Sequence, residues 1–536
     1  MKAKRLLIVA AVSAAALASG GWLLQRDSTG GSVYQQARLF DDVLAHVADF
    51  YVDSIDERQL YQMAIDGMLD QLHDPYTVYM KPDQFSVLTE QTTGNYGGLG
   101  IQIDVRDGWI TVVAPLPDTP AEHAGVETGD RIVALDGRPT EGWKQDQAVK
   151  ELRGQPGTNV TLSIRRIGLD QPLSFKLTRA EIHVRSVALA MMLDQRVGYV
   201  ELSPVSQTSA AEVQTAVDSL VKRGMKSLIL DLRGNPGGLL DQAIKVSDLF
   251  LDPGQVVVEQ RGRAPGATQT YRDRVPQQWP NLPIVVLVNG GSASAAEIIA
   301  GALQDHDRAL IVGTPTFGKG LVQSLFQLTP TTALKMTTAR WYTPSGRTIQ
   351  RKSKDELDQE AHALALETAP DTAAVDSTQT FKTDRGRVVY GGGAIRPDIF
   401  MAVDTLTSAE RIFTKALGSK APTFRDVISG YALDLKAGGQ LTRPDFPVTA
   451  DMVADVVRRL RTRGVALPDS AVNGGRTLIA QEIAYEGARY VFGRGAEFRR
   501  RMADDHQVQA ALGLARRARS PQDLLALAAT ALPNKN

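Results

Sequence analysis

The chain has 536 residues, no cysteine, and 60 lysines and arginines set against 60 aspartates and glutamates. At roughly 150 residues per domain that length predicts three or four domains. The 43% hydrophobic and 22% charged content excludes fibrous, collagenous and wholly disordered classes. A formal net charge of zero argues against a polyanion as the main partner, because nucleic-acid binding needs a basic surplus on some face. Without cysteine there is no disulfide framework, thiolate nucleophile or thiolate metal site, and the redox compartment is left open.

At the N-terminus Lys2, Lys4 and Arg5 precede the uncharged run Leu6–Leu24, with Ala16-Leu17-Ala18 inside it. This matches a secretory signal peptide. The run is also close to the roughly 20 residues that span a bilayer as a helix. Residues 1–26 therefore read as a signal peptide or a membrane anchor, and both readings export the rest of the chain, with the N-terminus cytoplasmic. Residues 27–33 read as a linker.

Over 34–93, Leu39, Val43, Val47, Phe50, Leu60, Met63, Ile65, Met68 and Leu72 recur at helical spacing, which predicts two or three amphipathic helices. His73-Asp74-Pro75-Tyr76 breaks the pattern. Residues 94–182 change to period-two alternation, with Asp107-Gly108 and Asp136-Gly137 as hairpin signals. They read as a small β domain with one helix near Asp146–Leu152.

From Arg196 strands alternate with helices, the signature of an α/β domain over 183–350. The strands are Val197–Leu202, Ser227–Leu232, Pro283–Val288 and Ala309–Gly313; the helices are Ala211–Arg223, Leu239–Phe250 and Ala295–Leu303. Residues 351–380 carry charge, alanine and threonine without a strand period and read as an insertion or linker. Residues 381–405 close the α/β domain, and 406–536 read as helical. The arginine runs there, such as Arg499-Arg500-Arg501, read as solvated helix faces.

Three segments hold residues that catalysis would want. Leu230–Gly238 is a strand entering a glycine-rich turn, whose N–H groups can face a developing oxyanion. Val288–Glu297 delivers Ser292 and Ser294 to a helix start, although Ser294-Ala295-Ala296-Glu297 is a capping box, and taken alone that reading wins. Thr316–Gln323 sets Lys319 between two glycines, where burial would lower its pKa toward that of a general base. A phosphate loop is excluded because Gly320 follows the lysine. None of the seven histidines has ligand spacing, so a zinc hydrolase is disfavoured. His306 leaves a Ser-His-Asp triad formally open, but with Asp305 and Asp307 beside it a surface turn is the preferred reading. A serine-lysine pair fits the residues best.

Five segments in order resemble the carboxy-terminal processing, or tail-specific, proteases: 232–238, 290–297, Gln304-Asp305, 316–323 and Tyr342-Thr343-Pro344-Ser345-Gly346-Arg347. The resemblance runs from about Tyr34 to Val403. It implies a multidomain α/β protein: a crotonase-like protease core with a PDZ β domain, an N-terminal helical segment and a helical C-terminal region. It implies Ser294 as nucleophile, Lys319 as general base and Gln323 as the residue orienting the lysine. Oxyanion donors would be the N–H of Ala295 and of Gly237 or Gly238, and Asp305 would be a supporting acid. Ser292 is the rival nucleophile.

The β domain would capture C-terminal tails with Gly97, Gly98, Leu99, Gly100 and Ile101 on one side and Val149 on the other. Arg153 resembles a gating arginine. Gly234 and Ala296 depart from the usual pattern, which has asparagine and serine there. Neither cofactor nor metal is implied. The resemblance leaves room for a homo-oligomer, an adaptor protein and attachment to the inner membrane through residues 6–24. The expected function is a periplasmic serine endopeptidase acting on envelope proteins. The alternatives are a PDZ scaffold with an inactive protease-like core and, from the core fold, an acyl-transfer enzyme.

Overall fold

The computed structural model describes residues 33–351 and 379–531. The expected leader at 1–26 and nearly all of the 351–380 stretch lie outside the described residues. Among the described residues no helix is long and apolar enough to cross a membrane. The chain divides into two compact units.

The first unit comprises the described residues up to Phe85 together with Gln323–Thr337. It holds α1 (Val33–Phe50), α2 (Glu57–Asp70) and β1 (Val78–Met80). Asp56 starts α2 by accepting the N–H groups of Arg58 and Gln59 at 2.9 and 3.3 Å, two of the donors a helix start leaves over. β1 pairs antiparallel with residues 333–335. The third helix of the amphipathic region is α3 (Pro82–Thr93), which runs into the second unit.

The second unit begins with the β domain: β2 (Asn95–Gly98), β3 (Ile101–Arg106), β4 (Trp109–Pro115), β5 (Arg131–Leu135), α4 (Gln145–Leu152), β6 (Asn159–Arg165), β7 (Leu173–Thr178) and β8 (Ala180–His183). Strands β3 to β7 form one antiparallel sheet in chain order, and β2 pairs with β8. Inward positions of the alternating strands, such as Ile110, Val112, Val160, Leu162 and Ile164, are fully buried.

The α/β core follows, with β9 (Leu189–Met192), β10 (Val197–Glu201), α5 (Ser209–Lys222), β11 (Ser227–Asp231), α6 (Leu240–Asp248), β12 (Val256–Gly262), β13 (Gln269–Arg272), β14 (Ile284–Val288), α7 (Ala295–Asp305), β15 (Leu310–Gly313) and β18 (Ile399–Phe400); of the intervening strands β16 (Leu321–Thr329) and β17 (Thr332–Tyr342), residues 323–337 belong to the first unit. Its sheet has the order β9-β10-β11-β14-β15-β18, parallel except for β9. Sequence reading misses a second sheet in which β12 pairs with β13 and with residues 339–342 of β17. These strands are partly exposed and lack a clean apolar alternation.

Every residue of β11 and β14 is buried, because both sheet faces are covered. Successive side chains point to opposite faces. Leu228, Leu230 and Val286 meet the apolar stripes of α5, α6 and α7. Ile229, Val285 and Leu287 point the other way, where the end of the chain covers them.

The C-terminal helices are α8 (Ser408–Leu417), α9 (Ala421–Ala437), α10 (Ala450–Thr462), α11 (Arg476–Phe492), α12 (Arg494–Asp504), α13 (His506–Arg517) and α14 (Pro521–Ala531). Val508, Ala511, Leu512 and Ala515 of α13, with Leu524 of α14, pack on that second sheet face. The Ser227 hydroxyl at the start of β11 donates to the Ala515 carbonyl at 2.9 Å. Helices α8 to α11 build a separate apolar cluster of their own around Phe413, Ile428, Val456 and Ile479.

Leu512→Ala should destabilise the core by about 2–5 kcal/mol, the range for emptying a buried leucine site, as read by urea unfolding. A second expectation concerns Asp248, at the end of α6. Burial, with help from Asp273, pushes its carboxyl up to about 7, and neither Asp248 Oδ1 nor Asp273 Oδ2 has a hydrogen-bond partner. A carboxyl that holds its proton more tightly when folded stabilises the fold at low pH, and this stabilisation is lost as pH rises through the folded pKa. Asp248→Asn should therefore raise the Tm at pH 8 and flatten the decline between about pH 4 and 7, checked by a pH series of thermal melts.

Candidate active site

The carbonyl ends of β11 and β14 lie side by side, the edge where parallel α/β sheets place ligands. After β11 the chain enters Leu232-Arg233-Gly234-Asn235-Pro236-Gly237-Gly238. Asn235 is fully buried. Its side chain donates to the Leu202 carbonyl at 2.6 Å and accepts the Gly237 N–H at 2.9 Å, while its own carbonyl accepts the Ala293 N–H at 2.9 Å. The turn is thus laid against the end of β14. Gly237 sits at φ 92°, and a Cβ there would meet the Ala293 carbonyl oxygen at 2.6 Å and Ser294 Cβ at 2.8 Å. Only glycine permits that approach.

After β14 the two serines part company. Ser292 is fully buried; its hydroxyl donates to the Leu232 carbonyl at 2.7 Å and accepts the Asn289 N–H at 3.0 Å. It is a structural staple. Ser294 is half-buried and stands at the start of α7 with φ 53° and ψ −114°. That lies outside the small left-handed basin open to L residues, a strain of about 1–3 kcal/mol that surrounding structure must hold.

Glu297, one turn into α7, does the holding. It is 0% exposed, and its carboxylate accepts four hydrogen bonds: from the Ser294 N–H at 2.8 Å, the Thr316 hydroxyl at 2.5 Å, the Gly318 N–H at 2.7 Å and the Lys319 N–H at 2.9 Å. Burial pushes its pKa up, and those donors act in the opposite direction. The capping-box motif does more than cap, because the same carboxylate binds the serine segment to the lysine segment. Sequence reading saw only the cap. The signal available was the apolar setting of the glutamate, Ala295-Ala296-Glu297-Ile298-Ile299, where a charge needs internal partners.

The Lys319 segment is fixed by its backbone elsewhere too. The Phe317 N–H donates to the Ser292 carbonyl at 3.0 Å, the Trp341 indole N–H to the Lys319 carbonyl at 3.0 Å, and the Gly320 N–H to Gln350 at 2.9 Å. Gln323 belongs to the first unit, where its side-chain amide donates to the Thr337 hydroxyl at 3.4 Å.

Asp305 is 1% exposed; it pairs with the buried Arg347 guanidinium at 2.6 Å and accepts from the Ser345 N–H and hydroxyl at 3.0 and 2.7 Å. Gln304 accepts from the same guanidinium at 2.7 Å. The motifs 304–305 and 342–347 are therefore two halves of one polar cluster at the far end of α7. The expected surface turn at His306 is corrected. Its side chain is 7% exposed and bridges Asp384 and the Val256 carbonyl at 2.7 Å each, and Asp305 and Asp307 are buried beside it. Each acid has an internal cation or donor, Arg347 for Asp305 and Arg387 for Asp307, so the acidic pair does not draw the turn into water.

In the β domain Leu99 and Gly100 form the turn entering β3, whereas Gly97 and Gly98 lie in β2, paired with Glu181 and Ala180. Gly100 has φ 74°, and a Cβ there would meet Thr119 Cβ at 2.3 Å. Ile101 and Val149 both pack on the domain core from half-buried positions. Arg153 lies 4.8 Å above the Tyr96 ring and pairs with Glu90 of α3 at 2.5 Å.

Residues 196–358 match the family model of peptidase family S41, 111–166 that of a PDZ domain, and 21–84 that of the activating protease CtpB N-terminal domain. The chain is 42% identical over 323 residues to a carboxy-terminal-processing protease of Bartonella bacilliformis, covering 60% of this chain and 74% of that protein. It is 36% identical to the carboxy-terminal processing protease CtpA of Bacillus subtilis, covering 61% and 68%. A solved photosystem II D1 C-terminal processing protease is similar at 29% identity and a TM-score of 0.34, over 60% of this chain and 84% of its own.

The chain belongs to the carboxy-terminal processing proteases.

As a carboxy-terminal processing protease it is a serine-type peptidase with a PDZ domain that binds C-terminal tails of protein substrates. The inactive-scaffold alternative is not favoured. In this protease, Gly237→Ala should drive a methyl group into Ala293 and Ser294. Peptidase activity should fall about 10²-fold or more, the scale of a 1 Å misplacement near the chemistry, while circular dichroism stays native.

Proposed function

We propose that the protein is an exported endopeptidase in which Ser294 attacks the scissile carbonyl and neutral Lys319 is its general base. The observation that carries this reading is Glu297, one carboxylate that binds both the Ser294 and the Lys319 N–H groups. The buried and doubly bonded Ser292 supports Ser294 over its rival.

In the acylation step the Ser294 proton passes to Lys319 Nζ as Oγ bonds to the carbonyl carbon. The C–N bond then breaks and Lys319 returns that proton to the leaving amine. Water, deprotonated by Lys319, releases the acyl group and restores the serine. The oxyanion would face the Ala295 N–H at the start of α7 and the Gly238 N–H. Gly238 is preferred to Gly237, whose N–H is already taken by Asn235. Gln323 would orient the lysine and Asp305 support α7. The substrate tail would place its carboxylate on the Leu99–Gly100 turn and add as a strand along β3, with Val149 of α4 opposite. Residues 6–24 would direct export, as a cleaved signal or as an inner-membrane anchor. A homo-oligomer and an adaptor protein are further partners in this proposal.

Ser294→Ala and Lys319→Ala should each lower kcat/KM by about 10³-fold or more on an unfolded protein with an apolar C-terminus. Ser292→Ala should lose stability but still form the acyl-enzyme, detected by intact-mass spectrometry. Equal cleavage by wild type and Ser294→Ala would sink the nucleophile assignment.

A further inference from the structure

A general base must be neutral to accept a proton, and a charge fixed to the Lys319 backbone opposes that. The Glu297 carboxylate accepts the Lys319 N–H at 2.9 Å. Its other donors, the Ser294 and Gly318 N–H groups and the Thr316 hydroxyl, bring no positive charge. An anion this close favours the ammonium and raises a lysine pKa.

A cation lies along the same segment. Arg351, half-buried just after the 342–347 motif, donates its N–H to the Gly318 carbonyl at 3.2 Å and its Nη2 to the Thr316 carbonyl at 3.0 Å. Between those two bonds its side chain crosses Gly318. A Cβ there would meet Arg351 Cγ at 2.6 Å, Nε at 3.0 Å and Cδ at 3.1 Å. Gly320 makes the same allowance for Gln350: a Cβ would stand 2.9 Å from the Gln350 nitrogen. The two glycines that flank Lys319 thus answer to one neighbour, the dipeptide Gln350-Arg351. Consecutive Cα atoms are about 3.8 Å apart, which sets the guanidinium within a residue or two of the lysine. Charges are felt over roughly 10 Å at 0.1 M salt.

The other segments bonded to 316–320 bring neutral groups toward the lysine. Trp341 of β17 donates its indole N–H to the Lys319 carbonyl, and Arg340 and Tyr342 on either side of it point to the opposite face of the strand. Arg396 follows Ile395, whose carbonyl accepts the Thr316 N–H at 3.1 Å, but it lies 5.2 Å above the Tyr390 ring. Glu297 and Arg351 are therefore the two charged side chains that these contacts bring to the segment.

We propose that Arg351 keeps Lys319 neutral, its guanidinium opposing the pull of Glu297 on the lysine proton. It is a positioning residue, acting on the reaction only through the lysine. The inference rests on the general-base role proposed above for Lys319.

The full chain is assayed for kcat/KM from about pH 6 to 10 on an internally quenched peptide with a blocked amine, an apolar C-terminus and no titrating side chain. In wild type the rate should rise with pH as Lys319 loses its proton. Without the neighbouring cation the ammonium holds its proton to higher pH. In Arg351→Met the rising limb should therefore move up by about one pH unit. Activity at pH 7 should drop about 10-fold and recover above the shifted limb. Arg351→Lys keeps the charge without the fork and should leave the limb where wild type has it. Arg351→Gln is read in the same way if Arg351→Met does not fold by circular dichroism. An unmoved limb, a loss by the same factor at every pH, or an equal shift in Arg351→Lys overturns the proposal. A wild-type profile in Lys319→Ala overturns the base assignment instead.

Discussion

Glu297 sits at the first turn of α7 with no access to water and four donors around it. An unpaired carboxylate in such a place is too costly to keep, so the four donors must stay where they are as long as it is charged. Two of them are the N–H groups of Ser294 and Lys319. The strained φ of Ser294, the entry of α7 and the path of the lysine segment are thereby set together, and none can shift without leaving the carboxylate short of a partner. Gly237 adds the third side, since its missing Cβ lets the glycine-rich turn close on the same serine.

Those three segments can converge only because the strands beneath them are rigid, and the strands are rigid because both faces are covered. Helices α5 to α7 supply one cover, as any α/β reading expects. The other comes from α13 and α14, hundreds of residues downstream of the strands they shield. The C-terminal region therefore divides by role: its last helices complete the protease core, while its earlier ones build their own cluster and grip the PDZ domain.

The fold was legible wherever one segment carries its own reason. The apolar runs at 227–231 and 284–288, the helical spacing in α5 and α7, and the turns after them are read directly from residue order. Ser294 and Lys319 stand out as a candidate pair only through five motifs in order, because each alone has a duller explanation. What stayed hidden depended on distant partners. The apolar stripe Val508, Ala511, Leu512, Ala515 is plain in the sequence, but nothing in it says that the sheet at Ile229 and Leu287 is its mate. Glu297 looked like a cap because its other ligands lie some twenty residues on. His306 looked exposed because its neighbours are charged, and their cations, Arg347 and Arg387, come from across an interrupted stretch of chain.

The balance of 60 positive and 60 negative residues acquires a structural meaning from those same pairs. Arg347 with Asp305, Arg387 with Asp307 and Asp398, Arg106 with Glu486, and Arg233 with Asp231 and Asp505 are each spent joining segments far apart in the chain or fixing a turn. Arginine suits this work because its planar fork can hold several acceptors at once and stays charged when buried. A lysine offers a point charge and a more adaptable pKa, the property that the general base proposed at Lys319 requires. The division of labour among the cations, arginines that bind segments together and a glycine-flanked lysine proposed for proton transfer, follows from the chemistry of the two side chains.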